Sequence, residues 1–92
     1  MTKNSWHLYI VKCSDSTLYT GVTTDIQRRI YEHNFSSKGA KYTRSRRPVE
    51  LMHSEQHESR SSAQVAESRL KKLKRAKKIE YIQAFSKRLK AN

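Results

Sequence analysis

Arg29 and His33 stand four residues apart in the stretch LYTGVTTDIQRRIYEHN, residues 18–34. That spacing puts them one turn apart on the same side of a helix. Tyr19 and Gly21 precede them, all four within fifteen residues. A guanidinium can take two oxygens of an anion, and His and Tyr side chains can exchange a proton. The four are therefore either a compact site for proton transfer beside a bound anion or polar filling in a small fold. Tyr9 lies ten residues before Tyr19, and Glu67 is one of two acids, with Glu80, after residue 58.

The elements that must position these residues follow from periodicity. WHLYIVK (6–12) is aromatic and β-branched, with Trp6, Leu8 and Ile10 on one face of a strand. LYTGVT (18–23) is a second strand, with Leu18, Thr20 and Val22 on one face and Tyr19, Gly21 and Thr23 on the other. The turn chemistry of Ser14-Asp15-Ser16-Thr17 joins them as an antiparallel hairpin. A capping box starting on Thr24, with Gln27 reaching back and Asp25 in the first turn, opens a helix whose Ile26/Ile30 stripe carries Arg29 and His33 along its half-buried edge. Residues 35–47 lose the pattern and read as a loop made basic by Lys38, Lys41, Arg44, Arg46 and Arg47; Tyr42 among them is placed to stack on a base or sugar, or the loop is simply solvated. After Pro48, Val49–His53 reads as a third, edge-tolerant strand. A second capping box on Ser61 and Gln64 opens a helix with Ala63, Ala66, Leu70 and Leu73 at helical spacing and Glu67 at the border of that stripe. Ile79, Ile82, Phe85 and Leu89 continue an apolar face, in one long helix or two. The expected fold is α/β (α+β): a small three-stranded antiparallel sheet flanked by helices.

Ninety-two residues allow one domain, 1–92, with a core over about 6–82 and a basic C-terminal helix to 92. The net charge is +12 and the pI about 10.2, the electrostatic footprint of a nucleic-acid binder. Residues 1–58 hold nine Lys/Arg against six Asp/Glu, whereas 59–92 hold eleven against two, so the last third is the phosphate-facing candidate. Cys13 is the single cysteine, which excludes an intramolecular disulfide and a four-cysteine zinc site. His7, His53 and His57 form no zinc spacing with it and read as ordinary polar residues. The first residues lack the apolar core of a signal peptide, and no apolar run nears the roughly 18 residues that span a bilayer. A cytoplasmic protein with no membrane contact is expected.

On these residues the sequence resembles the GIY-YIG nuclease family, specifically its small stand-alone bacterial members. The family's two short strands match His7-Leu8-Tyr9 and Tyr19-Thr20-Gly21; its helical Arg and His match Arg29 and His33; its later Glu matches Glu67 in AQVAESRLK. The segment KGAKYTRSRRPVEL is similar to the linking region of the small stand-alone group. Two variable positions depart, His7 for the first Gly and Thr20 for the middle Ile, and the Asn that some members carry near the metal has no counterpart.

The resemblance implies metal-assisted hydrolysis of DNA phosphodiesters. It assigns Tyr9 as general base, its pKa of about 10 to be lowered by metal, Arg29 and the basic surround. Tyr19 and His33 would bond Tyr9 or relay its proton, and Arg29 would hold the scissile phosphate. Gly21 would leave room for substrate, and Glu67 would bind Mg²⁺ or Mn²⁺. From spacing alone Glu67 reads first as a salt bridge to Arg60 or Lys71, and the tyrosines as core; the resemblance reverses that order for Glu67. Nucleic-acid contacts are expected from Gly21, Arg28, Lys38, Lys41, Tyr42, Arg44, Arg46, Arg47, Lys71 and Lys72, within a solvated lysine row over 71–78. The expected substrate is DNA, branched, nicked or single-stranded, cut structure-selectively in repair or recombination by a monomer or weak dimer. The alternative is a catalytically inactive nucleic-acid-binding protein of the same fold.

Overall fold

Aromatic and β-branched side chains decide the first two elements, and both become strands at the expected bounds: β1 (Trp6–Lys12) and β2 (Leu18–Thr23). The computed structural model describes residues 5–90. After the hairpin come α1 (Ile26–Phe35), α2 (Lys41–Arg44), β3 (Glu50–His57), α3 (Arg60–Lys71) and α4 (Arg75–Lys90). The sheet is antiparallel throughout, in the order β2-β1-β3.

Register sorts the side chains onto two faces. Leu8 and Ile10 pair with Val22 and Thr20, and Tyr9 and Val11 with Gly21 and Tyr19. Leu8, Ile10, Leu18 and Leu70 form one buried cluster, packed by Ala66 of α3 and Ile79, Tyr81 and Ile82 of α4. Tyr9, Val11, Cys13 and Val49 form another, packed by Tyr19 and by Ile30 of α1. The sheet is thus a middle layer between α3/α4 and α1. The Asn34 side chain ties α1 to the start of β3, donating to the Val49 carbonyl at 3.0 Å and accepting from its N–H at 2.7 Å.

Several boundaries differ from the sequence reading. The N-cap of α1 is Asp25, not Thr24: Asp25 Oδ1 accepts from Arg28 N–H at 3.1 Å, while Thr23 Oγ1 accepts from Asp25 N–H and sets its position. The N-cap of α3 is Ser59, not Ser61. The expected loop contains α2, and β3 continues beyond His53 to His57. That extension has a cause on the α4 side of the sheet. Glu55 accepts from His53 Nε2 at 2.8 Å, His57 Nε2 at 2.9 Å and Tyr81 O–H at 2.7 Å, and the His53 ring meets Phe85 edge-on at 4.7 Å. Burial alone would raise the Glu55 pKa, but the His53, Tyr81 and His57 bonds outweigh it and hold it at about 2.

The C-terminal region is two helices. Lys72 N–H caps α3 on the Arg69 and Leu70 carbonyls, and Leu73, expected on the apolar stripe, lies exposed in the turn. No Gly or Pro breaks the chain there; Leu70 and the Ile79/Ile82 pair converge on one cluster, which a straight helix could not reach. The side chain of Leu89 lies outside the described residues.

Candidate active site

Helix α1 carries His33 onto the sheet one turn after Arg29, and the two have different fates. His33 is fully buried rather than at a rim, whereas Arg29 is half-buried as expected and held by Glu32 Oε1 at 2.8 Å and the Lys38 carbonyl at 2.9 Å. The Tyr9 hydroxyl on the central strand lies 2.7 Å from His33 Nε2. On the far side of the imidazole, Nδ1 lies 2.9 Å from Thr43 Oγ1, and that hydroxyl donates to the Ala40 carbonyl at 2.9 Å.

The shorter bonds assign this series a direction. Thr43 spends its proton on Ala40, so its lone pairs accept from His33 Nδ1–H. Nε2 is then bare and accepts from the Tyr9 O–H, which has no other acceptor among the described residues. The Ala40 N–H at 3.4 Å from Nδ1 is the long contact that yields in this arrangement. His33 is therefore a neutral base with its free lone pair on Tyr9. Its pKa falls from 6.5 to about 4, through burial first and the Arg29 charge second.

The Tyr9 pKa does not fall. Burial raises it to about 12, and the Arg29 guanidinium beside it offsets only part of that effect. The charge on Glu67 also reaches Tyr9 and raises it further. In the metal-free chain Tyr9 is thus a hydrogen-bonded phenol, and Arg29 alone does not supply the expected lowering. Gly21 also differs from expectation. A Cβ there would overlap the Tyr9 hydroxyl and lie 2.6 Å from Tyr9 Cζ, so the missing side chain makes room for Tyr9, not for substrate.

Tyr19 sits edge-on to His33 at 5.4 Å and stacks on Tyr42 at 5.7 Å, with no hydrogen bond to Tyr9 among the described residues. Glu67 approaches from α3 past the β2 edge. Its carboxylate, one-fifth exposed, holds Lys71 Nζ at 3.3 Å, and that ammonium lies 5.9 Å from the Tyr19 ring. Tyr9, Tyr19, Arg29 and His33 are therefore together, with Glu67 joined to them through Lys71. Among the described residues no three His, Cys, Asp or Glu side chains gather as a metal centre. A single part-exposed carboxylate that already holds a cation nevertheless suits Mg²⁺, which keeps several waters and shares substrate phosphate oxygens.

The basic residues divide by use. Lys41, Arg44 and Lys72 are exposed, as is Arg28, which pairs loosely with Glu32 at 3.6 Å. Arg47 is spent inside the fold, donating to the carbonyls of Glu32, His33 and Ser36 that end α1. Arg46 pairs with Asp15 at 3.1 Å and lies 3.9 Å over the Tyr42 ring. Tyr42 carries Arg46 and Tyr19 against its ring and remains 38% exposed. Lys78 leaves the solvated row: it is buried, and burial first and Lys71 second lower its pKa. Sequence reasoning missed Thr43 and Glu32. The i,i+3 spacing to Arg29 could have found Glu32; no local signal marks Thr43.

Comparison with known proteins agrees with this architecture. The GIY-YIG catalytic domain matches residues 5–80. A UPF0213 protein of Desulfotalea psychrophila is 52% identical over 83 residues, covering 90% of this chain and 76% of that protein. One of Syntrophus aciditrophicus is 47% identical over 89 residues, covering 97% and 100%. The solution structure of a protein from E. faecalis aligns with a TM-score of 0.66 at 45% identity over 92% of this chain and 90% of that one. That of a UPF0213 protein from Bacillus halodurans gives 0.57 at 41% over 87% and 84%.

Proposed function

Because the chain belongs to the GIY-YIG nuclease family, we propose that it is a divalent-metal-dependent nuclease hydrolysing DNA phosphodiesters with Tyr9, Tyr19, Arg29, His33 and Glu67. The observation that carries this reading is the contact behind Tyr9: its hydroxyl lies 2.7 Å from Nε2 of a neutral, buried His33, with the Arg29 guanidinium alongside. Core packing alone asks only that a buried hydroxyl find a partner. It does not ask that the partner be a base with an anion-binding guanidinium alongside.

In this reading Arg29 takes two oxygens of the scissile phosphate. A water on the Tyr9 oxygen attacks phosphorus and gives its proton to Tyr9, which passes its own to His33 Nε2. The bond from phosphorus to the leaving sugar oxygen breaks, and that oxygen takes a proton from solvent. With Tyr9 at about 12 and His33 at about 4, transfer from one to the other is strongly uphill at rest. The proton therefore moves together with the attack, not before it. Mg²⁺ or Mn²⁺ on Glu67 would offset charge at phosphorus and acidify the attacking water. Tyr19 walls the ring of His33. The exposed Lys41, Arg44 and Lys72 suit backbone contacts without sequence preference. We accordingly place branched, nicked or single-stranded DNA first as substrate, a repair or recombination role with it, and a monomer or weak dimer as the working form.

A specific observation favours the second reading, a binding protein that cuts nothing. Tyr9 is 1% exposed, and Lys71 occupies the Glu67 carboxylate, so both must be uncovered before reaction. Labelled single-stranded, duplex and branched DNA incubated with Mg²⁺, Mn²⁺ or EDTA separates the two. Cleavage should need metal and fall at least about a hundredfold in Glu67→Gln and Tyr9→Phe, the range of one lost acid–base group. Equal cleavage by both variants overturns the assignment, and binding without cutting establishes the second reading.

A further inference from the structure

A cleft of about 310 Å³ opens where β1 begins and β2 ends, and Arg29 forms part of its wall. Trp6 and Val22 line the sheet side, Arg28 and Glu32 the α1 side, and Arg60 the α3 side. Three guanidiniums face one carboxylate, and that carboxylate is already taken by Arg29 at 2.8 Å and Arg28 at 3.6 Å. Arg60 has no acidic partner among the described residues. Its guanidinium instead rests 5.4 Å over the Trp6 ring, which holds the planar head by cation–π attraction and leaves its N–H edge available.

We propose that this cleft is a second phosphate subsite, in which Arg60 and Arg28 bind the strand phosphate neighbouring the one at Arg29, with Trp6 positioning Arg60. The inference rests on the reading of Arg29 as a phosphate ligand. A phosphodiester fits better than a carboxylate or a neutral ligand. The cleft has an excess of two guanidiniums over acids, and planar guanidinium forks match tetrahedral oxyanions. Because the same Arg29 borders the Tyr9–His33 site and the cleft, a strand lying along both would present consecutive phosphates to them. The subsite would fix which way the strand runs past Tyr9.

Trp6 is the only tryptophan in the chain, so its emission reports on this cleft directly. The test titrates the full chain with a thymidine trinucleotide and with inorganic phosphate, in EDTA so that nothing is cut, following both Trp6 emission and the anisotropy of a labelled oligonucleotide. The oligonucleotide should move Trp6 emission with the same midpoint as the anisotropy. Inorganic phosphate at equal concentration should not. Arg60→Gln should abolish the emission change and reduce the slope of log affinity against log salt by about 0.7, the value for one single-strand phosphate contact. Arg88→Gln, which removes an arginine set over Phe85 on α4, should leave both unchanged. An emission that ignores bound DNA, an equal response to inorganic phosphate, or equal slopes in the two variants would overturn the proposal. Since the readout is binding without metal, its failure is distinct from a failure to cleave.

Discussion

The Tyr9 phenol occupies the volume that any side chain at Gly21 would need, its Cζ 2.6 Å from where the Cβ would stand. The two residues are direct cross-strand partners on β1 and β2. Gly21 is not in the left-handed region, so the constraint is steric and not conformational. Gly21→Ala must push Tyr9 off His33. Overpacking of this kind costs about 1–3 kcal/mol, and the variant should lose cleavage more completely than that loss of stability explains. Urea denaturation beside a cleavage assay at a temperature where the variant remains folded checks this; full activity in the folded variant would refute it.

Thr43 sets which nitrogen of His33 carries the proton. Thr43→Val leaves Nδ1–H without an acceptor, at a cost of about 1–3 kcal/mol, unless the proton moves to Nε2 and turns that nitrogen away from Tyr9 as an acceptor. Ring ¹⁵N shifts should report an Nδ1–H tautomer in the parent and in Thr43→Ser, and an Nε2–H tautomer in Thr43→Val. Cleavage should follow the tautomer, falling by up to about a hundredfold, the reach of one general base.

Stability should fall as the solution is acidified through the ordinary His range. His33 titrates at about 4 in the fold against 6.5 ordinarily. Between those values the unfolded chain takes up a proton that the folded chain refuses, so the His33 contribution is whole above 6.5 and lost by about 4. The Glu55 contribution is lost lower, as pH drops from 4.5 towards about 2. Urea midpoints measured from pH 7.5 to 4.5 should slope downward, and His33→Gln should flatten that slope; an unchanged slope would assign it to other groups.

Thr20 should be improvable. Its hydroxyl is buried without a partner among the described residues, facing the Leu8/Ile10 cluster opposite Ile10. Thr20→Val keeps the shape and removes the desolvated hydroxyl, so it should stabilise by about 1 kcal/mol, a rise in Tm of roughly 4–8 °C in a domain of this size. A lower Tm would mean that the hydroxyl is satisfied in solution.

The residues show why some of this could be read in advance. Aromatic and β-branched enrichment in WHLYIVK, with turn residues between it and LYTGVT, marks the hairpin, and β1 and β2 begin and end at the expected residues. Caps were less legible: Thr24 and Asp25 can each accept from a helix N–H, and the choice lies in the bond from Asp25 N–H to Thr23 Oγ1. The Arg29/His33 spacing placed both on α1, but the full burial of His33 depends on the Tyr9 and Thr43 contacts and the half-buried place of Arg29 on Glu32 and Lys38. Thr43 and the Tyr9–Gly21 fit arise from loop packing and strand register, to which local periodicity is blind. Glu67 was singled out by resemblance; its spacing alone suits an ion pair with Lys71, which also forms.

The strand order puts β1 between β2 and β3, so Tyr9 belongs to the one strand bonded on both sides. Amide hydrogens of such a strand exchange only in the rarest, global openings, whereas those around an exposed segment such as Ser37–Lys38 exchange through small local ones. The Tyr9–His33–Arg29 group therefore links the doubly bonded strand to the exposed turn at Lys38. Arg29 can be freed by opening its Glu32 and Lys38 bonds alone, which leaves the Tyr9–His33 contact in place.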